Sequence, residues 1–126
     1  MVSKRLAEGR RVLVVEDEMT IVLMIEDTLL ELGVEIVGPT AQLDAAVRLA
    51  KEAPIDAAVL DINIGSRNSY PVADILAERK IPFLLCSGYG NWALEHRHRD
   101  RPLLTKPYTS SDLEVRVLEM LGVPSS

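Results

Sequence analysis

Cysteine is almost missing from this 126-residue chain. Cys86 stands alone, so no disulfide can close within the chain, which fits a reducing compartment. One thiol and the alternating pair His96 and His98 cannot build a tetrahedral zinc site, because residues two apart do not face together on a helix. Long apolar runs are missing too. The longest uncharged apolar-rich stretch, Met19 to Ile25, falls far short of the ~20 residues that cross a bilayer. The basic N-terminus MVSKRLAEGRR has no apolar stretch behind it, so it does not read as a signal peptide. Nor is there an excess of positive charge. A formal net charge of −5 removes the electrostatic basis for binding nucleic acid or an anionic membrane. These absences describe a cytoplasmic protein whose partners are proteins or cations.

What is present is one ordinary globular core, with 48% apolar and 26% charged residues. We divide the chain into a short basic leader (1–10), one domain (11–122) and a short tail (123–126). Short apolar segments suited to buried strands run from Arg11 to Val15, Val34 to Gly38, Ile55 to Leu60, Ile81 to Cys86 and Pro102 to Thr105. Helical patterns lie between them. Glu18 to Leu32 ends at Gly33. Thr40 is placed to cap a second helix, and a third starts near Ser69 to Pro71. Asn91 to His98 forms a weak fourth. The last carries a capping-box pattern at Ser111-Asp112-Leu113-Glu114 and stops at Gly122 and Pro124. Five strand–helix pairs in alternation predict an α/β domain, a doubly wound five-stranded parallel sheet flanked by five helices.

In open parallel sheets ligands bind beyond the carboxyl ends of the strands, so those ends carry the functional information. Here they read Glu16-Asp17-Glu18, Asp61-Ile62-Asn63, Ser87-Gly88-Tyr89 and Lys106-Pro107. Carboxylates crowded on one rim repel unless they protonate or share a cation, and a hard oxygen-seeking ion such as Mg²⁺ suits them. With a lysine and a hydroxyl opposite, the rim is complementary to a phosphoryl group, and a carboxylate could attack phosphorus to become an aspartyl phosphate. That chemistry accounts for a continuous apolar strand ending on Asp61.

The segments VLVVEDE, AAVLDINI, LLCSGYG and LLTKPY, in this order and spacing, resemble the receiver domains of two-component response regulators. The resemblance spans about Arg11 to Gly122 and implies the CheY-like, flavodoxin-like sheet order 2-1-3-4-5. It implies Asp61 as phosphoryl acceptor, Glu16 and Asp17 as the acidic pair for Mg²⁺, and Asn63 as donor of a main-chain carbonyl to the metal. Ser87 would be the hydroxyl that follows the phosphoryl group and Lys106 its ion-pair partner. The implied donor is a phosphohistidine on a sensor histidine kinase or histidine phosphotransfer protein. Phosphorylation would be self-catalysed with slow hydrolysis, outside the usual definition of an enzyme.

Two departures concern the switch. Receivers usually carry Tyr or Phe three residues before the lysine, where this chain has Leu103, and the loop INIGSRNSYP lacks the usual Pro-Gly-Met-Asp-Gly turn. With IPFLLCSGYG they suggest an atypical subgroup in which Tyr89 is the switch candidate. The alternative is a degenerate receiver acting as a phosphorylation-independent binding module, although such modules usually lose an acid or the lysine. A haloacid-dehalogenase-type phosphatase would need a second acid where Asn63 stands. A Ser87/His96 hydrolase lacks any sequence feature placing its base and orienting acid. As a stand-alone receiver, the chain would signal through protein contacts or drain phosphoryl groups from a relay. The downstream partner is unspecified, and a homodimer is left open.

Overall fold

The computed structural model describes residues 5–88 and 94–123. Its strands are the short β-branched and leucine-rich runs: β1 (Arg11–Val15), β2 (Glu35–Thr40), β3 (Ala57–Asp61), β6 (Phe83–Ser87) and β7 (Leu103–Thr105). They form one parallel sheet in the order β2-β1-β3-β6-β7. With the short hairpin β4 (Asn63–Ile64) and β5 (Arg67–Asn68) set aside, this is the expected order. β3 and β6 are buried at every residue, because helices cover both faces of the centre of the sheet.

Successive strand residues point to opposite faces, and this divides the core in two. Leu13, Val15, Leu60, Phe83 and Leu85 pack on the side of α2 (Leu43–Glu52) and α3 (Tyr70–Glu78). Val12, Val14, Val59, Leu84 and Cys86 pack on the side of α1 (Met19–Glu31) and α4 (Ser110–Met120). No described helix is long and apolar enough to cross a membrane.

α1 stops at Gly33, as its sequence requires. Gly33 sits at φ 84°, and the N–H groups of Gly33 and Val34 donate to the carbonyls of Leu30 and Leu29, both at 3.0 Å. The N-terminal segment then covers this helix end. Arg5, Ala7 and Gly9 donate to the carbonyls of Glu31, Leu32 and Gly33 at 3.0, 3.0 and 3.1 Å, and Ala7 is buried.

Several local expectations change. Thr40 does not cap α2: it ends β2, its Oγ1 accepts from Gln42 N at 3.1 Å, and Gln42 takes the N-cap position. The box of α4 lies two residues earlier than Ser111. Thr109 Oγ1 accepts from Asp112 N and Asp112 Oδ2 accepts from Thr109 N, each at 3.1 Å. Among the described residues there are four α-helices; of the segment expected as a weak fourth helix, residues 91–93 lie outside the described residues, and the described part holds a 3₁₀ turn at His96–His98. The part from residue 94 onward is held by individual contacts. Leu94 is buried, Arg97 and His98 both bond Asp74 of α3, and the His98 ring stacks on Tyr70 with centroids 5.5 Å apart. The hairpin of β4 and β5 interrupts the strand–helix alternation. It turns at Gly65, whose φ of 61° suits the first position of a tight hairpin turn.

Candidate functional site

Four parallel strands end on one rim and bring Glu16, Asp61, Ser87 and Lys106 together there. Glu16 follows β1 and is 2% exposed, whereas Asp61 closes β3 and is 4% exposed. Lys106 Nζ lies 3.1 Å from Asp61 Oδ2 and 3.4 Å from Glu16 Oε1. The Lys106–Pro107 peptide is cis. Ser87, the buried last residue of β6, is tied to the lysine through the main chain, since Lys106 N donates to the Ser87 carbonyl at 2.7 Å.

The remaining contacts orient the acids. Glu16 Oε2 accepts from the N–H groups of Asp17 and Glu18, both at 3.1 Å. Asp61 Oδ1 accepts from Asn63 N at 3.2 Å, so Asn63 adjoins the acceptor candidate at the start of β4. Asp17 is exposed, and its Oδ2 accepts from Gly65 N at 2.8 Å, a bond that spans 48 positions. Each of Glu16, Asp17 and Asp61 offers a carboxylate oxygen, and these lie within 4.8 Å of one another.

Two buried acids, Glu16 and Asp61, share the Lys106 ammonium, and Glu16 responds to its burial and to this crowding. Burial, followed by hydrogen bonding to Asp61 and its charge, pushes the Glu16 carboxyl up to about 7, against the opposing pull of the Glu18 N–H and Lys106. For Lys106, burial disfavours the charge, yet pairing with Asp61 and Glu16 prevails and raises its pKa.

One atom tests whether a cation suits this site. Glu16 Oε1 is buried and accepts no hydrogen bond, its one close cationic neighbour being Lys106 Nζ at 3.4 Å, so this oxygen retains coordinating capacity. The donor set consists of hard oxygens, the preference of Mg²⁺ or Ca²⁺ and unsuited to zinc. The acids therefore fit a divalent cation.

Beside the lysine opens a groove of about 410 Å³ lined by Glu18, Ile21, Met24, Lys106, Pro107 and Tyr108. Leu103 lies in β7 beside Leu85 and packs on the α2/α3 side of the core. Tyr89, the switch candidate, lies outside the described residues. Sequence reasoning missed the role of the hairpin. The only local signal was the glycine in INIGSRN; the partner of that glycine, Asp17, is remote in sequence.

No protein-family model matches the chain. Over 111 residues it is 33% identical to the transcriptional regulatory protein PdtaR of Mycobacterium tuberculosis, a match covering 85% of this chain and 54% of that protein. The chain thus spans about half the length of the curated relatives it matches. Its structure is similar to that of SdrG from Sphingomonas melonis Fr1, with a TM-score of 0.77 and 39% identity, covering 90% of this chain and 97% of that one. The receiver domain of sensor histidine kinase PA1611 from Pseudomonas aeruginosa PAO1, crystallised with a magnesium ion coordinated in its active site cleft, shares the fold. There the TM-score is 0.74 at 23% identity, covering 90% of this chain and 98% of that one. Sheet order, the acid–lysine rim and the identity to SdrG along nearly its whole length agree: the chain belongs to the response regulator receiver domains of two-component systems.

Proposed function

We propose that this receiver accepts a phosphoryl group on Asp61 from a phosphohistidine of a sensor histidine kinase or histidine phosphotransfer protein. The observation that carries this reading is the setting of Asp61. It is buried at a rigid strand end, with one carboxylate oxygen on Lys106 at 3.1 Å, the other on the Asn63 N–H at 3.2 Å, and two further acids alongside.

In the proposed step an Asp61 oxygen bonds to phosphorus while the phosphorus–nitrogen bond breaks, and the electron pair of that bond stays on the histidine ring. Lys106 supplies a fixed positive charge for a phosphoryl oxygen, and the Ser87 hydroxyl donates to another. Mg²⁺, when held by Glu16, Asp17, Asp61 and the Asn63 main-chain carbonyl, would neutralise charge on the phosphoryl oxygens. Slow attack by water on phosphorus would return the free carboxylate and inorganic phosphate. The reaction is the receiver's own, and the output passes to a downstream protein or ends as phosphate drained from a relay.

Intact mass after incubation with acetyl phosphate and Mg²⁺ tests this. The wild type should gain one phosphoryl group and Asp61→Asn none. Equal gain in both would move the nucleophile elsewhere. A wild type that gains nothing from acetyl phosphate or from a phosphorylated histidine kinase would leave a phosphorylation-independent binding module.

A further inference from the structure

Between β3 and α3 the chain folds out as the hairpin and returns beside Asp61 at Ser69. That serine is 1% exposed. As the N-cap residue of α3 it would ordinarily turn its hydroxyl onto the first turn of the helix, yet it makes no side-chain cap bond. Instead Ser69 Oγ donates to the main-chain carbonyl of Asp61 at 2.7 Å, and its N–H donates to the Ile62 carbonyl at 2.8 Å. The same loop reaches the acids twice more, through Asn63 N on Asp61 Oδ1 and Gly65 N on Asp17 Oδ2.

We propose that Ser69 is a positioning residue for the phosphoryl acceptor, an inference that rests on the reading of Asp61 above. Its hydroxyl holds the carbonyl of Asp61 while the Ile62 N–H of the same peptide donates to the Cys86 carbonyl at 3.0 Å, and the two bonds together fix the peptide plane leading into Ile62. That plane sets both the aim of the Asp61 carboxylate and the path of the hairpin that carries Asn63 and Gly65. Rotation of the plane would draw the Asn63 and Gly65 N–H groups away from the carboxylates they orient. Because Ser69 makes no cap bond with its side chain, Ser69→Ala removes this tether without removing a helix cap.

The full chain is assayed as wild type, Ser69→Ala, Ser69→Cys and Asp61→Asn. Phosphorylation by acetyl phosphate is followed by intact mass, and folding by circular dichroism. Misorientation of reacting groups by a fraction of an ångström slows a reaction substantially, so Ser69→Ala should gain its phosphoryl group about tenfold more slowly. The loss should persist at saturating acetyl phosphate and Mg²⁺, in the maximal rate and not in the half-saturating concentration. Ser69→Cys, close in shape but a weak donor, should fall between. A folded Ser69→Ala within twofold of the wild-type maximal rate, with Asp61→Asn inert, would overturn the inference and leave the acceptor reading intact. Failure of both Ser69 variants to fold would also overturn it, by making the serine a structural clasp. Asp61→Asn gaining phosphate like the wild type would remove the acceptor reading, and this inference with it.

Discussion

Replacing Lys106 by Met keeps much of the side-chain bulk and removes the one positive charge between Asp61 and Glu16, at 3.1 and 3.4 Å. At an effective dielectric of about 20, a pair of unit charges about 4 Å apart interacts by about 4 kcal/mol, so the two bare Coulomb terms together overstate the cost. Two effects reduce it. The lysine side chain is 21% exposed, so it gave up only part of its hydration, and Glu16 can take a proton once its counter-charge is gone. Breaking a fully buried pair costs about 3–5 kcal/mol, and we expect about 2–3 kcal/mol here in chelator at pH 8. For a urea dependence of about 1–3 kcal/mol per molar, the unfolding midpoint should fall by roughly 0.7 to 3 M. The loss should shrink at pH 6, where Glu16 is protonated, and millimolar Mg²⁺ should restore the variant more than it stabilises the wild type. Matching midpoints for variant and wild type in chelator at pH 8 would refute the reasoning. So would a Mg²⁺ response no larger in the variant, since neither is compatible with a lysine that neutralises crowded acids.

Glu16→Gln tests the raised pKa of that acid. A carboxyl lifted from 4.5 to about 7 in the folded state contributes stability that is fully present below pH 4.5 and lost as pH rises through 7. In chelator the wild type should therefore lose stability from pH 5 to pH 8, and the variant should show a flatter profile together with weaker Mg²⁺ binding by titration. Gly33→Ala should lower the thermal midpoint, because φ is 84° and the added carbon would sit 2.9 Å from the Glu8 Cα. A loss of more than about 1 kcal/mol is expected, and an unchanged midpoint would mean that residues 5–10 do not pack on that helix end.

Much of this protein was legible as local pattern. Apolar runs such as AAVL can be buried on both faces only in a covered parallel sheet, and a strand ending on Asp61 or just before Lys106 carries that residue to the rim wherever the strand lies. Gly33 ended α1 because the left-handed turn it supplies depends only on its neighbours. Choices between equivalent local signals were harder. Thr109 and Ser111 each begin a capping pattern, and the helix starts at Ser110 with Thr109 as its cap. In the described residues from 94 onward, the 3₁₀ turn His96–His98 is held by the bonds of Arg97 and His98 to Asp74, partners that no local spacing names.

The sequence thus carries the five strands of the sheet, most of the helices between them and the residue types at each strand end, because periodicity and chain direction act within a few residues. Tertiary structure alone decided what those residues do to one another. The protonation of Glu16 depends on its burial and then on Asp61, far along the chain. The second oxygen of Asp17 is held by Gly65, and the hydroxyl of Ser69 faces Asp61 instead of its own helix. Charge coupling and hydrogen bonds act through space, over distances set only when β1, β3, β6 and β7 share one sheet and the hairpin loop reaches Asp17 and Asp61.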